Sequence, residues 1–392
     1  MRRLVVALVL AGFGCASPRP AVSACEPRTA DPTHARAALY QRTLDEQVAG
    51  RLPGAIALIR DADGLWMGAS GEVDLAHGVS AQVCHRMPIA SMTKTLVATV
   101  ALILEARGVL SLDAPIAGHL PAEVAEAVAN SDRITLRMLL NHTSGVPSYT
   151  NQAWYLRSID NPGWVPTEED ALSAIRGQSL FEPGTAHRYG STNYILAGRV
   201  IEDATGRPFE EVLRDELLDP LELSATSYAP GVAYEDIAQG YLDLYGDERY
   251  VESSWDDFLA STLRSPSAGV ATDVLDLMRF MDALFRTDAL LSARSRDEML
   301  TEAIDSADPK HSAVGYGLGV EHYVWPEGEA WGHSGSLFGF ESYAHYFPRE
   351  DVTMVLLVNA SSLSDGVDDH SVHAHLIGSV LPALRRAALV PR

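Results

Sequence analysis

Ser91 and Lys94 stand three residues apart in Ile89-Ala90-Ser91-Met92-Thr93-Lys94-Thr95-Leu96, ahead of an apolar run over 96–104 that reads as a buried helix. Positions i and i+3 of a helix share a face, so the hydroxyl and the amine can touch. The lysine is conspicuous because the chain holds 28 Arg and only two Lys, Lys94 and Lys310. A guanidinium keeps its proton in a protein, whereas a desolvated lysine can release it and then act as a base. Such a pair could attack a carbonyl with the Ser91 oxygen while Lys94 takes the proton. The spacing alone fits a helix-capping serine and a surface lysine equally well.

Three further stretches could supply partners. Asn141-His142-Thr143-Ser144-Gly145 reads as a turn closing a helix over 136–140. Tyr189-Gly190-Ser191-Thr192-Asn193 leads into a helical stretch over 193–204, so Tyr189 either holds its phenol over a cleft or packs in the core. Gly332-His333-Ser334-Gly335-Ser336 ends a short strand, where small residues permit close backbone approach by a substrate.

The elements that must hold these groups follow from periodicity. Ala38, Leu39, Leu44 and Val48 recur at helical spacing within 34–48. Strand patterns over 54–60 and 65–70 flank the turn signal Asp61-Ala62-Asp63-Gly64, which gives a hairpin. Residues from about 110 to 290 read as mostly helical and rich in loops, with helices over 136–140, 168–176, 193–204, 209–217 and 273–285. Strands return over 316–323, 330–333, 340–347 and 352–359, and a last helix is expected over 371–384. The expected fold is α+β, an α/β sandwich. One antiparallel sheet is built from both ends of the chain and flanked by helices, with the helical region inserted between its two parts.

Taken in this order, the stretches resemble the serine β-lactamase and penicillin-binding protein superfamily. The match is to the branch holding class C β-lactamases, serine D-Ala-D-Ala carboxypeptidases and β-lactamase-like esterases. It spans about residues 35–385 and includes Pro266-Ser267-Ala268-Gly269-Val270-Ala271-Thr272-Asp273-Val274-Leu275-Asp276-Leu277, similar to a helix of that branch. The resemblance implies Ser91 as the acylated nucleophile, Lys94 as its proton acceptor and Tyr189 as the residue that shuttles protons to the leaving group. It implies that His333-Ser334-Gly335 lines the substrate edge, with Ser334 donating to a carboxylate. The backbone N–H groups of Ser91 and Ser336 would form the oxyanion hole. No metal or organic cofactor is implied, and the partner is a small-molecule or peptide acyl substrate.

Two positions depart from that pattern. Ser191 stands where an Asn is usual, and a hydroxyl offers fewer hydrogen bonds than an amide. Asn193 sits at a helical position and is not expected to substitute. His333 stands for a Lys, which makes the charge at the carboxylate end depend on pH near neutrality. Both departures favour peptide or ester hydrolysis, in the manner of a carboxypeptidase or an esterase. A class C-like β-lactamase and a penicillin-binding sensor or scaffold without turnover are the alternatives.

Other motifs are weaker. Gly332 to Ser336 mimics a lipase elbow with Ser334 as nucleophile, but a strand pattern follows where that elbow needs a helix. His370, His373 and His375 place at most two rings on one helix face, too few for a metal centre. Trp154, Tyr155, Trp164 and Tyr241 could shape a pocket or pack in the core.

Composition bounds the rest. The 392 residues are 47% hydrophobic and 21% charged, with a formal net charge of −22, which argues against nucleic acid or an anionic membrane as partner. Arg2 and Arg3 precede an apolar run over 4–14 that is too short to span a bilayer and reads as an export signal within 1–24, followed by a tether over 25–33. The serine hydrolase domain is expected over 34–386. Cleavage after Ala24 competes with lipid attachment at Cys15 or Cys25. In an oxidising compartment Cys25 and Cys84 could pair, or remain two separate buried thiols.

Overall fold

Strand β1 (Gly54–Asp61) shows how the sheet is buried on both sides. Ala55, Ala57 and Ile59 belong to one apolar cluster, whereas Ile56 and Leu58 belong to another. Successive side chains of a strand point to opposite faces, so β1 lies between two cores. In this computed structural model the described residues are 21–23, 25, 33–151, 153–154, 157, 164, 167–228, 237–243, 247–253, 265–304, 306–307, 313–362 and 380–389.

The main sheet comprises β1, β2 (Gly64–Asp74), β3 (Val79–Ser80), β4 (Ala313–Tyr316), β5 (Glu321–Trp325), β6 (Gly328–Leu337), β7 (Phe340–Phe347) and β8 (Val352–Val358). Its order is β3-β2-β1-β8-β7-β6-β5-β4, and every neighbouring pair is antiparallel. The join between the two ends of the chain is β1 against β8, with Ala55 opposite Val358 and Arg60 opposite Thr353. The sheet therefore does form from both termini, as the pattern of the sequence indicates.

One face is covered by the terminal helices α1 (Ala37–Val48) and, at the other end of the chain, Val380–Leu389. Tyr40, Leu44, Val48, Val380, Leu381 and Leu384 pack on Ala57, Ile59, Met354, Leu356 and Phe347. Fully burying a side chain of this size contributes roughly 1.5–3 kcal/mol. His34, Arg36 and Tyr40 also converge on Asp61 at the end of β1, at 3.0, 2.7 and 2.6 Å. This polar cluster pins the start of α1 to the sheet.

The other face packs on α2 (Thr93–Ala106), α3 (Ser191–Thr205) and α4 (Val274–Phe285). Twelve consecutive residues of α2, Thr93 to Leu104, are buried, so it is a central helix rather than an amphipathic one. The inserted region also carries short strands at Ser227–Tyr228, Tyr241–Asp243, Tyr250–Glu252 and Val270–Thr272, the last of which pairs with Met87–Pro88 just ahead of the Ser91 turn.

Two local expectations need correction. The expected strand over 316–323 is two strands, broken where Gly319 takes φ +70° and Gly317 lies against the Met299 carbonyl. The helix expected over 209–217 is α-helical at Phe209–Leu213 and then widens into a π turn at Arg214–Leu218. The final helix is described from Val380, and residues 371–379, with His373 and His375, lie outside the described residues, as do His370, Tyr155 and Lys310. Cys25 and Cys84 are joined in a disulfide across 59 positions. No helix among the described residues is long and apolar enough to cross a membrane.

Candidate active site

Ser91 lies in a short 3-10 turn, Ala90–Met92, that runs directly into α2. Ala90 adopts φ +47°, a left-handed conformation that costs a residue with a Cβ roughly 1–3 kcal/mol. The surroundings hold it there. Ile89 N–H donates to the Val270 carbonyl at 2.9 Å, and the Ser342 hydroxyl donates to the Ile89 carbonyl at 2.8 Å. Gly335 on β6 lies opposite Ser342 on β7, and a Cβ at Gly335 would come within 2.2 Å of the Ile89 oxygen. The strand can press against the Ser91 turn only because residue 335 has no side chain.

Lys94 is wholly buried on the first turn of α2. Its Nζ is 2.9 Å from Ser91 Oγ and 2.9 Å from the Ser267 carbonyl. Burial pushes the amine down to about 7, against the upward pull of the Glu321 carboxylate. Near neutrality a large share of Lys94 is therefore a neutral amine with a lone pair facing a hydroxyl. The Nζ also lies 5.0 Å from the centre of the Tyr189 ring and 5.7 Å from that of Tyr194.

Tyr189 is placed by the Asn141 to Gly145 turn. His142, at φ +61°, packs its ring 4.4 Å from the Tyr189 ring, and its carbonyl accepts from Arg188 N–H at 3.0 Å. His142 Nδ1 faces the Gly190 N–H at 3.3 Å and Asn193 Nδ2 at 2.9 Å, and Ser144 Oγ donates to Asn193 Oδ1 at 2.6 Å. Asn193 is thus buried and engaged inside the protein, so it does not take the place of the missing amide at Ser191. Ser191 is the first residue of α3 and its N–H donates to Ser148 Oγ at 3.2 Å.

On the far side runs β6. The His333 ring is buried; its Nε2 accepts from the Tyr316 hydroxyl at 3.0 Å, and its Nδ1 faces the Ser334 carbonyl and stands 3.7 Å from Glu321 Oε2. This pairing assigns the ring proton to Nδ1. Burial raises the Tyr316 phenol well above its ordinary value, so it stays a donor. The pairing of β5 with β6 ends at Glu321 opposite Gly332, and Ser334 N–H donates to the Glu321 carboxylate at 2.8 Å instead of to a strand. N–H groups two residues apart face the same edge of a strand, so Ser336 N–H points to the edge that Ser334 N–H uses.

Ser91, Lys94, Tyr189 and the His333 to Ser336 segment are therefore brought together from α2, the start of α3 and β6. Sequence reasoning missed Glu321, Tyr316, Ser267 and Ser342. The available signal for Glu321 was an acidic residue directly after the apolar and glycine-rich run Tyr316-Gly317-Leu318-Gly319-Val320. The four aromatic positions divide differently. Trp154 and Trp164 meet edge to face at 4.6 Å, and Tyr149 meets Trp154 at 4.7 Å. Tyr241 is buried, and its oxygen accepts from Leu75 N–H at 2.7 Å.

Residues 40–377 match the family model described as Beta-lactamase. The chain is 29% identical over 317 residues to "Penicillin-binding protein 4" of Amycolatopsis lactamdurans, across 79% of this chain and 81% of that one. It is 26% identical over 325 residues to "Protein flp" of Staphylococcus aureus, covering 80% of this chain but only 61% of the length of that relative. The solved structure of a D-stereospecific amidohydrolase from Streptomyces sp. superimposes with a TM-score of 0.70 and 30% identity, covering 83% of this chain and 94% of that one. The chain belongs to the β-lactamase family and is a serine hydrolase of the β-lactamase and penicillin-binding protein superfamily.

Proposed function

We propose that this protein is an exported acyl hydrolase that opens amide, peptide or ester bonds through an acyl-enzyme on Ser91. The observation that carries this reading is the 2.9 Å contact between Ser91 Oγ and the buried Lys94 amine. In the forward step the Ser91 hydroxyl gives its proton to neutral Lys94 and its oxygen adds to the substrate carbonyl. Tyr189, whose ring lies against Lys94, relays that proton to the departing amine or alcohol. The N–H groups of Ser91 and Ser336 receive the carbonyl oxygen as it becomes negative, and losing one such donor typically costs ~3 kcal/mol. Water then cleaves the acyl ester and restores Ser91.

Amide and peptide bonds are favoured by the relative from Streptomyces sp., which is named for amide hydrolysis with D-stereospecificity. D-Ala-D-Ala carboxypeptidase-like and esterase activities remain within this class. Penicillin is the second acyl donor to consider, because the Amycolatopsis lactamdurans relative is named as a penicillin-binding protein. Export is supported by the apolar leader and by the Cys25–Cys84 disulfide, which persists in oxidising compartments.

The reading is tested by turnover of phenyl acetate and a D-amino acid p-nitroanilide. Wild type is expected to release product with multiple turnovers, and Ser91→Ala is expected to show none above the uncatalysed rate. Equal rates in the two proteins would refute the role of Ser91.

A further inference from the structure

Glu321 is a buried carboxylate with no part in the steps above. It begins β5 and, through the pairing with Gly332, stands beside the edge of β6 that the substrate must approach. One oxygen, Oε2, accepts from Ser334 N–H at 2.8 Å, from the Ser334 hydroxyl at 3.1 Å and from the Tyr323 hydroxyl, and lies 3.7 Å from His333 Nδ1. Tyr323 is the residue two further along β5, on the same face as Glu321, so the strand itself supplies the third donor.

Of these donors, the Ser334 hydroxyl is the one that a substrate carboxylate at this edge would need. A serine hydroxyl has a single proton to give, and here it goes to Glu321. A substrate carboxylate placed beside Ser334 would therefore find that proton taken and a like charge next to it, on a carboxylate that is itself buried and so weakly screened. A leaving amine that ends in a neutral carboxamide, a plain amine or an alcohol meets neither penalty.

We propose that Glu321 determines leaving-group specificity: it fills from within the protein the place of a substrate carboxylate, so that the enzyme prefers amides and esters whose leaving group carries no carboxylate over peptides that end in one. This rests on the Ser91 hydrolase reading and narrows its substrate class.

The test compares kcat/KM for an N-acylated D-Ala-D-Ala peptide with that for the same peptide carrying a terminal carboxamide, with phenyl acetate as a control. Both peptides pass through the same acylation by Ser91, so changes at Lys94 cancel in the ratio. Wild type is expected to favour the carboxamide tenfold or more. Glu321→Gln keeps the acceptor oxygen and loses the charge, and is expected to bring the ratio to within threefold of unity. Because Glu321→Gln changes a buried group, Ser334→Ala provides a second reading. Its ratio is expected to stay within threefold of wild type, since the hydroxyl already serves Glu321.

Preference of wild type for the free carboxylate, turnover of neither peptide, an unchanged ratio in Glu321→Gln, or a selective loss of the carboxylate substrate in Ser334→Ala would each overturn the proposal. Failure of the hydrolase reading is distinct, because it appears as phenyl acetate turnover that survives Ser91→Ala.

Discussion

Lys94 Nζ and Ser91 Oγ meet at 2.9 Å, and the lysine does so from a wholly buried position at the start of a helix whose next ten residues are also buried. That burial is what makes the amine a proton acceptor. Lys94→Arg keeps a positive charge but removes the ability to become neutral. Acylation by a p-nitrophenyl ester is expected to slow by roughly 10²–10⁴-fold in this variant, the usual contribution of a general base. Stopped-flow measurement of the acylation burst checks it, and a wild-type burst rate would rule out proton transfer to Lys94.

The same lysine sets a pH dependence. With the amine at about 7, kcat/KM is expected to rise as pH increases through that value, because only the neutral form accepts the Ser91 proton. Glu321 raises the lysine, so Glu321→Gln leaves burial less opposed and moves the acid limb to lower pH. A pH–rate profile of both proteins on a neutral ester decides this. A limb that moves toward alkali would contradict the assigned interaction.

Gly335→Ala tests how tightly β6 is pressed on the nucleophile turn. Its Cβ would sit 2.2 Å from the Ile89 oxygen and 2.4 Å from Ser342 Oγ. Because the first of these is backbone, the strand must retreat, at a cost of about 1–3 kcal/mol. Thermal denaturation is expected to show the loss in stability, and kcat to fall as the edge moves away from Ser91. A fully active and equally stable variant would show that the strand has room to spare.

The Cys25–Cys84 disulfide closes a loop of 59 positions between the N-terminal segment and the strand region. Chain-entropy arguments assign such a loop about 4 kcal/mol of stabilisation, commonly less when measured. Reduction with dithiothreitol, or Cys84→Ser, is expected to lower the midpoint of urea unfolding with the active-site contacts intact. No change in the midpoint would mean that the unfolded chain is little restrained by this bond.

Local patterns made the architecture legible. The strand patterns and the turn at Asp61 to Gly64 correctly gave a hairpin, and the three-residue spacing of Ser91 and Lys94 allowed the contact that a 3-10 turn leading into α2 makes. The Asn141 to Gly145 turn was visible as a turn, but its use was not: His142 supports Tyr189 through the fold, across 47 positions of sequence. Glu321 was hidden for a related reason. Read locally it belonged to one strand over 316–323, and only the break at Gly317 to Val320 sets the register that aims its carboxylate at Ser334. Register between strands is fixed by turns and burial far along the chain, not by the residues of the strand alone. The pairing of Cys25 with Cys84 was likewise open until the chain's path brought them together.

The most direct measurement is intact-protein mass spectrometry of wild type and Ser91→Ala after brief exposure to a penicillin, a short-chain ester and a D-amino acid amide. Wild type is expected to gain the mass of one acyl group from at least one donor, with the label mapping to Ser91 after digestion, and Ser91→Ala to gain none. An adduct of equal extent in Ser91→Ala, or a label mapped to Ser334 or any other residue, would contradict the account.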